Sequence, residues 1–209
     1  LAVVVIWGLF VYRGYRHKQL KNRIIIKQKR EVEKAKQIIE EKNEAITDSI
    51  NYAKRIQVAM LPTVKDVSTV FSDSFVLFQA KDIISGDFHF VKSTGSVNII
   101  AAADCTGHRV PGAFMSMIGT VKLSEAVSTS EDPSDILSKL NSGIKTVLNQ
   151  TSNADSTRDG MDIAICSIDM ESNVLQYAGA NIPLWVIRKG GKEVEEIKAT
   201  KVAIGGLTA

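Results

Sequence analysis

The spacing of apolar residues divides the chain near residue 62. Residues 19–60 contain no Pro or Gly and are rich in Lys, Glu, Gln, Ala and Ile, a composition that favours a helix. We expect this helix to end at Pro62. Within it, apolar or small residues recur every seven positions, at Ile25, Val32, Ile39, Ile46, Ala53 and Met60. The interleaved positions are mostly polar or small, so the pattern predicts an imperfect coiled coil, and the helix is either a dimerising signal carrier or a passive spacer.

Short apolar runs bounded by turn residues dominate from about residue 64. Ser74–Ala80 and Val97–Ala103 are typical of buried strands. Helices are predicted at Pro111–Val127 and Asp135–Asn149. The order of strands, two helices and strands again favours a layered α+β domain with mainly antiparallel sheets. Further strands are predicted at Phe88–Lys92, Met161–Ile168, Val174–Ala178, Leu184–Arg188 and Val194–Ile197.

An uncharged, almost wholly apolar run occupies residues 1–12. As a helix it would cover about 18 Å, less than the hydrocarbon core of a bilayer at about 30 Å. Because the chain opens inside this run and a basic block follows from Arg13, we expect the C-terminal part of a transmembrane helix with its cytoplasmic flank. The alternatives are a buried core helix and a tail that simply precedes a coiled coil.

The net charge of +3 conceals an uneven distribution. Residues 1–30 carry eight Lys or Arg and no acidic residue, which leaves 18 basic and 23 acidic residues in the rest of the chain. This local basic stretch does not indicate a nucleic-acid-binding domain, and no nucleic acid is expected as a partner. The two cysteines, Cys105 and Cys166, form neither a C-x-x-C pair nor a metal-binding set, which fits a reducing compartment.

Two carboxylates are placed at the ends of predicted strands. Asp87 follows Ser85 and Gly86 at the start of one strand, and Asp104 directly follows the strand that ends at Ala103. If these two strands pair, the carboxylates converge at one end of the sheet, where oxygen ligands suit Mg²⁺ or Mn²⁺. Without a cation the two charges would repel each other. An Asp at a strand end is also commonly a turn or cap residue, so this pattern alone leaves both interpretations open.

The stretch Asp104–Gly119, DCTGHRVPGAFMSMIG, leads from a strand into a helix through small and turn-forming residues. With other segments in the same order, it resembles the metal-dependent protein phosphatases (PPM, type 2C) of the stage II sporulation protein E (SpoIIE) type, in the membrane-bound or sensor-linked versions common in Bacteroidetes. The resemblance covers most of residues 46–209 and implies a layered α-β-β-α phosphatase sandwich, incomplete in this chain. The other segments are Ile46–Pro62, Lys81–Phe90, Arg158–Ala164, Tyr177–Leu184 and Ile204–Leu207.

The resemblance also implies a metal site. Asp87, Asp104 and the backbone carbonyl of Cys105 are expected to hold Mn²⁺ or Mg²⁺, with two ions in the complete domain. A metal-activated water, rather than a catalytic side chain, would then attack a phosphoserine or phosphothreonine in line. Asp162, in the segment RDGMDIA, is a weaker candidate metal ligand.

The chain departs from the family pattern at Arg109, where the family usually has the second Gly of G-H-G-V-P-G-A. If that position has a positive φ, Arg109 is strained. If it faces the metal cleft, Arg109, like the neighbouring His108, contacts phosphate or obstructs it. The later acidic motifs of such phosphatases are not found before Ala209, so we expect the 209-residue chain to bind metal poorly and to be inactive alone.

These observations predict three parts: the end of a transmembrane helix (1–12), a basic flank and signalling helix (13–62), and the N-terminal portion of a phosphatase domain (63–209). The expected enzyme dephosphorylates a regulatory protein, dimerises through residues 19–60, and is held at the inner membrane with its phosphatase domain in the cytoplasm. The alternative is a catalytically inactive pseudophosphatase or docking module, which Arg109 favours and the retained Asp87 and Asp104 do not. A coiled-coil membrane scaffold with an unrelated domain is a third possibility.

Overall fold

The computed structural model describes residues 2–151 and 157–206, without the side chains of residues 3–5. Leu1, at the start of the expected transmembrane segment, and Leu207, in the segment Ile204–Leu207, lie outside the described residues. The chain divides into two compact units, one up to Ser49 and one from Ile50 onwards. The described side chains of the first unit are all exposed.

Helix α1 runs from Ala2 to Met60 over 59 residues. The helix predicted over 19–60 is therefore confirmed, and the apolar residues at its N-terminal side continue it. Among the described residues, no helix combines the length and the apolar character needed to cross a bilayer. The heptad residues Ile25, Val32, Ile39 and Ile46 are all exposed, and their pairing into a coiled coil stays a prediction.

In its described residues, the second unit contains the end of α1, three shorter helices and seven strands. The helices are α2 (Val64–Val70), α3 (Val110–Val127) and α4 (Pro133–Val147). Helix α2, absent from the predicted elements, begins with a capping box in which Thr63 and Asp66 satisfy each other's backbone N–H groups. The strands are β1 (Phe88–Thr94), β2 (Val97–Cys105), β3 (Gly160–Asp169), β4 (Val174–Ala180), β5 (Leu184–Ile187), β6 (Val194–Ile197) and β7 (Ile204–Gly205).

The main sheet has five strands. Strands β1 to β4 follow one another in chain order, every pair is antiparallel, and β7 adds to β3. Strands β5 and β6 form a separate hairpin. The α+β class with mainly antiparallel sheets is thus confirmed. Of the expected four-layer sandwich, the described residues form one large sheet, a layer of helices α3 and α4 on it, and the small hairpin.

One face of the main sheet forms the hydrophobic core with α3 and α4. Alternate residues of the strands point into it, including Ile99 of β2 and Ile163 of β3, neither of which is exposed. Leu123 of α3 and Leu140 of α4 pack against them. Each such aliphatic side chain contributes about 1.5–3 kcal/mol on burial. The residues between them, among them Asp104, point to the opposite face.

The prediction of a buried strand at Ser74–Ala80 is wrong. This segment is irregular, and the side chains of Phe75 and Leu77 are 90% and 85% exposed. An apolar run forms a strand only when a neighbouring strand satisfies its backbone hydrogen bonds. Within residues 2–151 and 157–206, no strand pairs with this segment.

Candidate metal centre

The register between β1 and β2 brings the two predicted carboxylates together. Phe88 of β1 pairs with Ala103 of β2 in an antiparallel ladder, so one further step places Asp87 beside Asp104. Because side chains alternate along a strand, both aspartates lie on the face away from α3 and α4. The expected pairing of these strands is therefore confirmed, and the carboxylates converge at one end of the sheet.

Three glycines pack backbone against backbone around this end of the sheet. A Cβ on Gly86 would lie 3.2 Å from the carbonyl oxygen of Cys105 and 3.3 Å from that of Gly107. A Cβ on Gly112 would lie only 2.5 Å from the Gly107 oxygen. The absence of these side chains allows the loop before β1 and the loop after β2 to meet, which places the Cys105 carbonyl against Gly86, the residue before Asp87.

Gln57, near the end of α1, fixes the loop before Asp87. Its side-chain nitrogen donates to the carbonyl of Ser85 at 2.6 Å and to the hydroxyl of Ser116 at 2.7 Å. Its side-chain oxygen accepts the Ser85 N–H at 3.2 Å. Gln57 is only 4% exposed, so these bonds are shielded from water. No role for Gln57 was predicted from the sequence, because a contact across 28 residues leaves no local pattern.

Asp87 and Asp104 open into one cavity of about 640 Å³. Burial of its carboxyl group is the main cause that raises the pKa of Asp87 above its usual value, followed by the charge of Asp104 and a hydrogen bond between the two carboxyl groups. The negative charge of Asp104 thus disfavours the ionised form of Asp87, and a bound cation would relieve that repulsion.

The donor set suits a hard cation. It comprises two carboxylates and the backbone carbonyl of Cys105, all oxygen ligands of the kind that Mg²⁺ and Mn²⁺ prefer. The thiol of Cys105 does not fit this role, because burial and the two nearby aspartates raise its pKa to about 12. In the described part of the chain, no group of three or more His, Cys, Asp or Glu side chains is arranged to hold a metal. The candidate centre therefore consists of two carboxylates and a carbonyl, and a bound cation would need water to complete its coordination.

Asp162 lies next to this centre but has a different partner. It pairs with Asp104 across β2 and β3, so both side chains point to the same face of the sheet. The Asp162 carboxylate accepts a hydrogen bond of 2.7 Å from the side-chain amide of Asn181, and Asp162 is not among the residues that line the cavity. The contact with Asn181 was not predicted from the sequence.

The loop after β2 is held by Thr106 and carries His108 and Arg109. Thr106 exchanges backbone and side-chain hydrogen bonds with Gly160 at 2.9 Å, and its hydroxyl contacts Asp159. His108 and Arg109 are exposed and line the same cavity as the two aspartates.

Arg109 has a positive φ. The sequence raised this possibility because the family usually has Gly at this position. Its φ of 59° and ψ of −129° correspond to the first central position of a type II′ turn, which favours Gly. Its side chain makes no capping bond to α3, and its Nε lies 3.0 Å from Oδ2 of Asp82.

Two solved structures of phosphatase domains are similar to this chain. The chain resembles the SiaA PP2C domain of Pseudomonas aeruginosa at 32% identity and a TM-score of 0.69, over 78% of this chain and 64% of that one. It is also similar to a structure of the PP2C phosphatase domain and a regulatory fragment of SpoIIE from Bacillus subtilis, at 21% identity and a TM-score of 0.46, over 58% of this chain and 33% of that one. The chain thus spans less than two thirds of either. No curated protein sequence matches it.

The family match covers most of the second unit. Residues 95–208, more than half of the 209, match the family of stage II sporulation protein E (SpoIIE). The match begins near the start of β2 and therefore contains Asp104, Cys105 and the loop that carries Arg109. The chain belongs to the SpoIIE family.

Proposed function

We propose that the protein is a metal-dependent phosphatase that removes phosphate from phosphoserine or phosphothreonine in a regulatory protein. The observation that supports this most directly is the convergence of Asp87, Asp104 and the Cys105 carbonyl in one cavity. Family membership and the resemblance to phosphatase domains point to the same chemistry.

Each part of the site has a role in this proposal. Asp87, Asp104 and the Cys105 carbonyl would hold Mn²⁺ or Mg²⁺, which would supply a water of lowered pKa and neutralise charge on the phosphoryl group. Gln57 holds the Ser85 backbone so that Asp87 stays beside Asp104. Asp162 keeps its hydrogen bond to Asn181 and orients that side chain, and it does not bind the metal.

The first prediction concerns Asp104→Asn in the intact protein. We expect Mn²⁺ to raise the melting temperature of the wild-type protein, because a ligand that binds only the folded state stabilises it. Asp104→Asn should remove this increase and Mn²⁺-dependent release of phosphate from a phosphoserine peptide. Without metal, the variant should be at least as stable as wild type, because the repulsion from Asp87 is gone. Thermal unfolding with and without Mn²⁺, together with phosphate release, measures both effects.

Asp48→Asn is the matched control, since Asp48 is an exposed aspartate of α1 outside the cavity. It should keep the Mn²⁺-induced stabilisation and the activity. Unchanged turnover and unchanged Mn²⁺ stabilisation in Asp104→Asn would contradict the proposed metal site. Metal binding without turnover in the wild-type protein would instead favour the pseudophosphatase, for which the Arg109 substitution is the specific observation.

We further propose that α1 links the phosphatase unit to a membrane and to a second copy of the chain, with the phosphatase on the cytoplasmic side. Ile6, Trp7 and Phe10 are 67–77% exposed on the apolar start of α1, directly before the basic residues. These features suit the boundary between acyl chains and anionic headgroups. The protein should float with anionic liposomes in a density gradient, and removal of residues 1–12 should abolish flotation. Equal flotation of both forms would refute membrane contact by this segment.

A further inference from the structure

The cavity that contains the candidate metal centre is also lined by two cationic side chains. Lys81 and Arg109 line it beside Asp87 and Asp104. The Arg109 side chain is 77% exposed, while that of its ion-pair partner Asp82, also at the cavity wall, is 43% exposed. Positive charge next to a metal site is suited to a dianionic group.

Arg109 has more hydrogen-bond donors than its partner uses. The guanidinium group carries five N–H groups, and a single carboxylate can accept at most about two of them in a fork geometry. In the part of the chain that the structure describes, Asp82 is the one acidic residue paired with Arg109. At least about three N–H groups are therefore available to a second anion, and a phosphate oxygen pair matches their planar spacing.

The backbone conformation at Arg109 indicates that its side chain has a function at this position. Its φ and ψ are those that Gly adopts most easily, yet the chain carries one of the largest side chains there. The side chain does not cap α3 and is not buried in the core. What it contacts is Asp82, which also lines the cavity. Strained residues of this kind concentrate at ligand-binding sites.

We propose that Arg109 binds the phosphoryl group of the substrate through its free N–H groups, and that Asp82 is a positioning residue that holds the guanidinium at the cavity. This inference rests on the proposed function and specifies how that site recognises its substrate. It opposes the alternative that Arg109 obstructs the cleft.

The test compares Arg109→Gln with wild type in the intact, Mn²⁺-loaded protein. The KM for a phosphoserine peptide and the inhibition constant of inorganic phosphate should each rise about tenfold, because a charge-assisted hydrogen bond is lost. The kcat should change by less than about twofold, since the metal ligands are untouched. Arg109→Lys should give an intermediate rise, because it keeps the charge but loses the fork. A merely structural role would not separate Lys from Gln in this way.

Arg188→Gln is the matched control. Arg188 has a side chain of 74% exposure and an ion pair of 2.9 Å with Glu195, but it does not line the cavity. Its KM and phosphate inhibition should equal those of wild type. An unchanged or lower KM and inhibition constant in Arg109→Gln would overturn the proposal, and a lower KM would show that Arg109 obstructs the cleft.

The two proposals fail in different ways. Absence of Mn²⁺-dependent hydrolysis by the wild-type protein would refute the proposed function. In that case, calorimetric titration of inorganic phosphate in the presence of Mg²⁺ still compares wild type with Arg109→Gln, and equal affinities would overturn the role of Arg109.

A double-variant cycle tests the role of Asp82. Asp82→Asn alone should raise the KM by about threefold, because it releases the guanidinium without removing it. In the Arg109→Gln background it should have no further effect, since Asp82 acts through Arg109. Equal effects of Asp82→Asn in both backgrounds would show that Asp82 does not position Arg109.

Discussion

Arg109 shows how one substitution changes both the backbone and the surface charge at a site. A non-Gly residue in this conformation costs about 1–3 kcal/mol. Its exposed ion pair with Asp82 returns at most about 1 kcal/mol, because water screens both charges. The residue therefore lowers the stability of the folded protein, and its side chain is exposed where a ligand can reach it.

The cost of the backbone conformation and the small contribution of the ion pair together predict the stability of Arg109→Gly. Relief of strain should outweigh both the lost ion pair and the greater unfolded-state freedom of Gly, for a net gain of about 1 kcal/mol in the free energy of unfolding. Urea denaturation measures the gain. Arg188→Gly is the control, since Arg188 is not among the described residues with a positive φ, and it should give no gain. Equal losses in both variants would show that Arg109 is not strained.

At the scale of the secondary-structure elements, the contact between the loops around the site depends on Gly112. This residue lies in the first turn of α3, and the atoms nearest to its missing side chain all belong to backbone, of Gly107 and Gly86. Backbone cannot move aside as the end of a flexible side chain can. The position of the loop after β2, which contains Gly107, is therefore fixed by the helix that follows it.

Gly112→Ala should accordingly destabilise the protein by about 1–3 kcal/mol, as other substitutions that overfill a packed site do. It should also weaken the Mn²⁺-induced rise in melting temperature, because the Gly107 carbonyl must shift. Gly143→Ala in α4 is the matched control. Its new methyl group would meet the flexible stem of Lys122 at 3.2 Å, so the variant should lose no stability and gain up to about 1 kcal/mol from helix propensity. Equal effects of the two substitutions would contradict this account.

The elements that the sequence predicts best are those whose partners are close in the chain. Strands β1 and β2 are neighbours in the chain and pair as a hairpin, and in α4 the buried residues Ile136, Leu140 and Ile144 follow a helical period after the N-cap Asp132. The segment Ser74–Ala80 has the same apolar character as a strand but lacks a partner strand among the described residues. Periodicity reports which side chains can be buried, and pairing decides whether they are.

The two carboxylates of the candidate site could be predicted from the sequence, but the residues that hold the site by hydrogen bonds could not. Asp87 and Asp104 lie at the open end of a hairpin whose two strands are joined by a short turn, so their convergence follows from strand pairing alone. The hydrogen bonds of Gln57 and Asn181 join residues that are distant in the chain, so no local sequence pattern predicts them. The φ of Arg109 became a question only through comparison with the Gly that the family has there.

At the scale of the whole molecule, the first unit presents an apolar stripe to solvent. Ile25, Val32, Ile39 and Ile46 are each 57–67% exposed and recur every seven residues along α1. A single long helix gains most of its stability from packing such a stripe against another element. This is the observation behind the proposed dimer.

Ile39→Lys should therefore dissociate the dimer, because it places a charge in the middle of the stripe. Ile26→Lys is the matched control, since Ile26 is 53% exposed, close to the 59% of Ile39, but lies outside the seven-residue repeat. Sedimentation equilibrium should show a dimer Kd at least about tenfold higher for Ile39→Lys, equivalent to about 1.4 kcal/mol, and a wild-type Kd for Ile26→Lys. A monomeric wild-type protein, or equal shifts in both variants, would rule out pairing through this stripe.

The alternation of side chains along β2 protects the site against folding errors. Ile99, Ala101 and Ala103 point into the core, and Asp104, the next residue along the strand, points to the opposite face. A slip of one residue against β3 would bury Asp104 among aliphatic side chains and expose the core residues together. A misaligned sheet would thus be too unstable to persist, and every molecule that completes its core also has its carboxylates on the correct side. Burial of the apolar residues of β2 therefore also selects the register that places Asp104 on the face opposite the core.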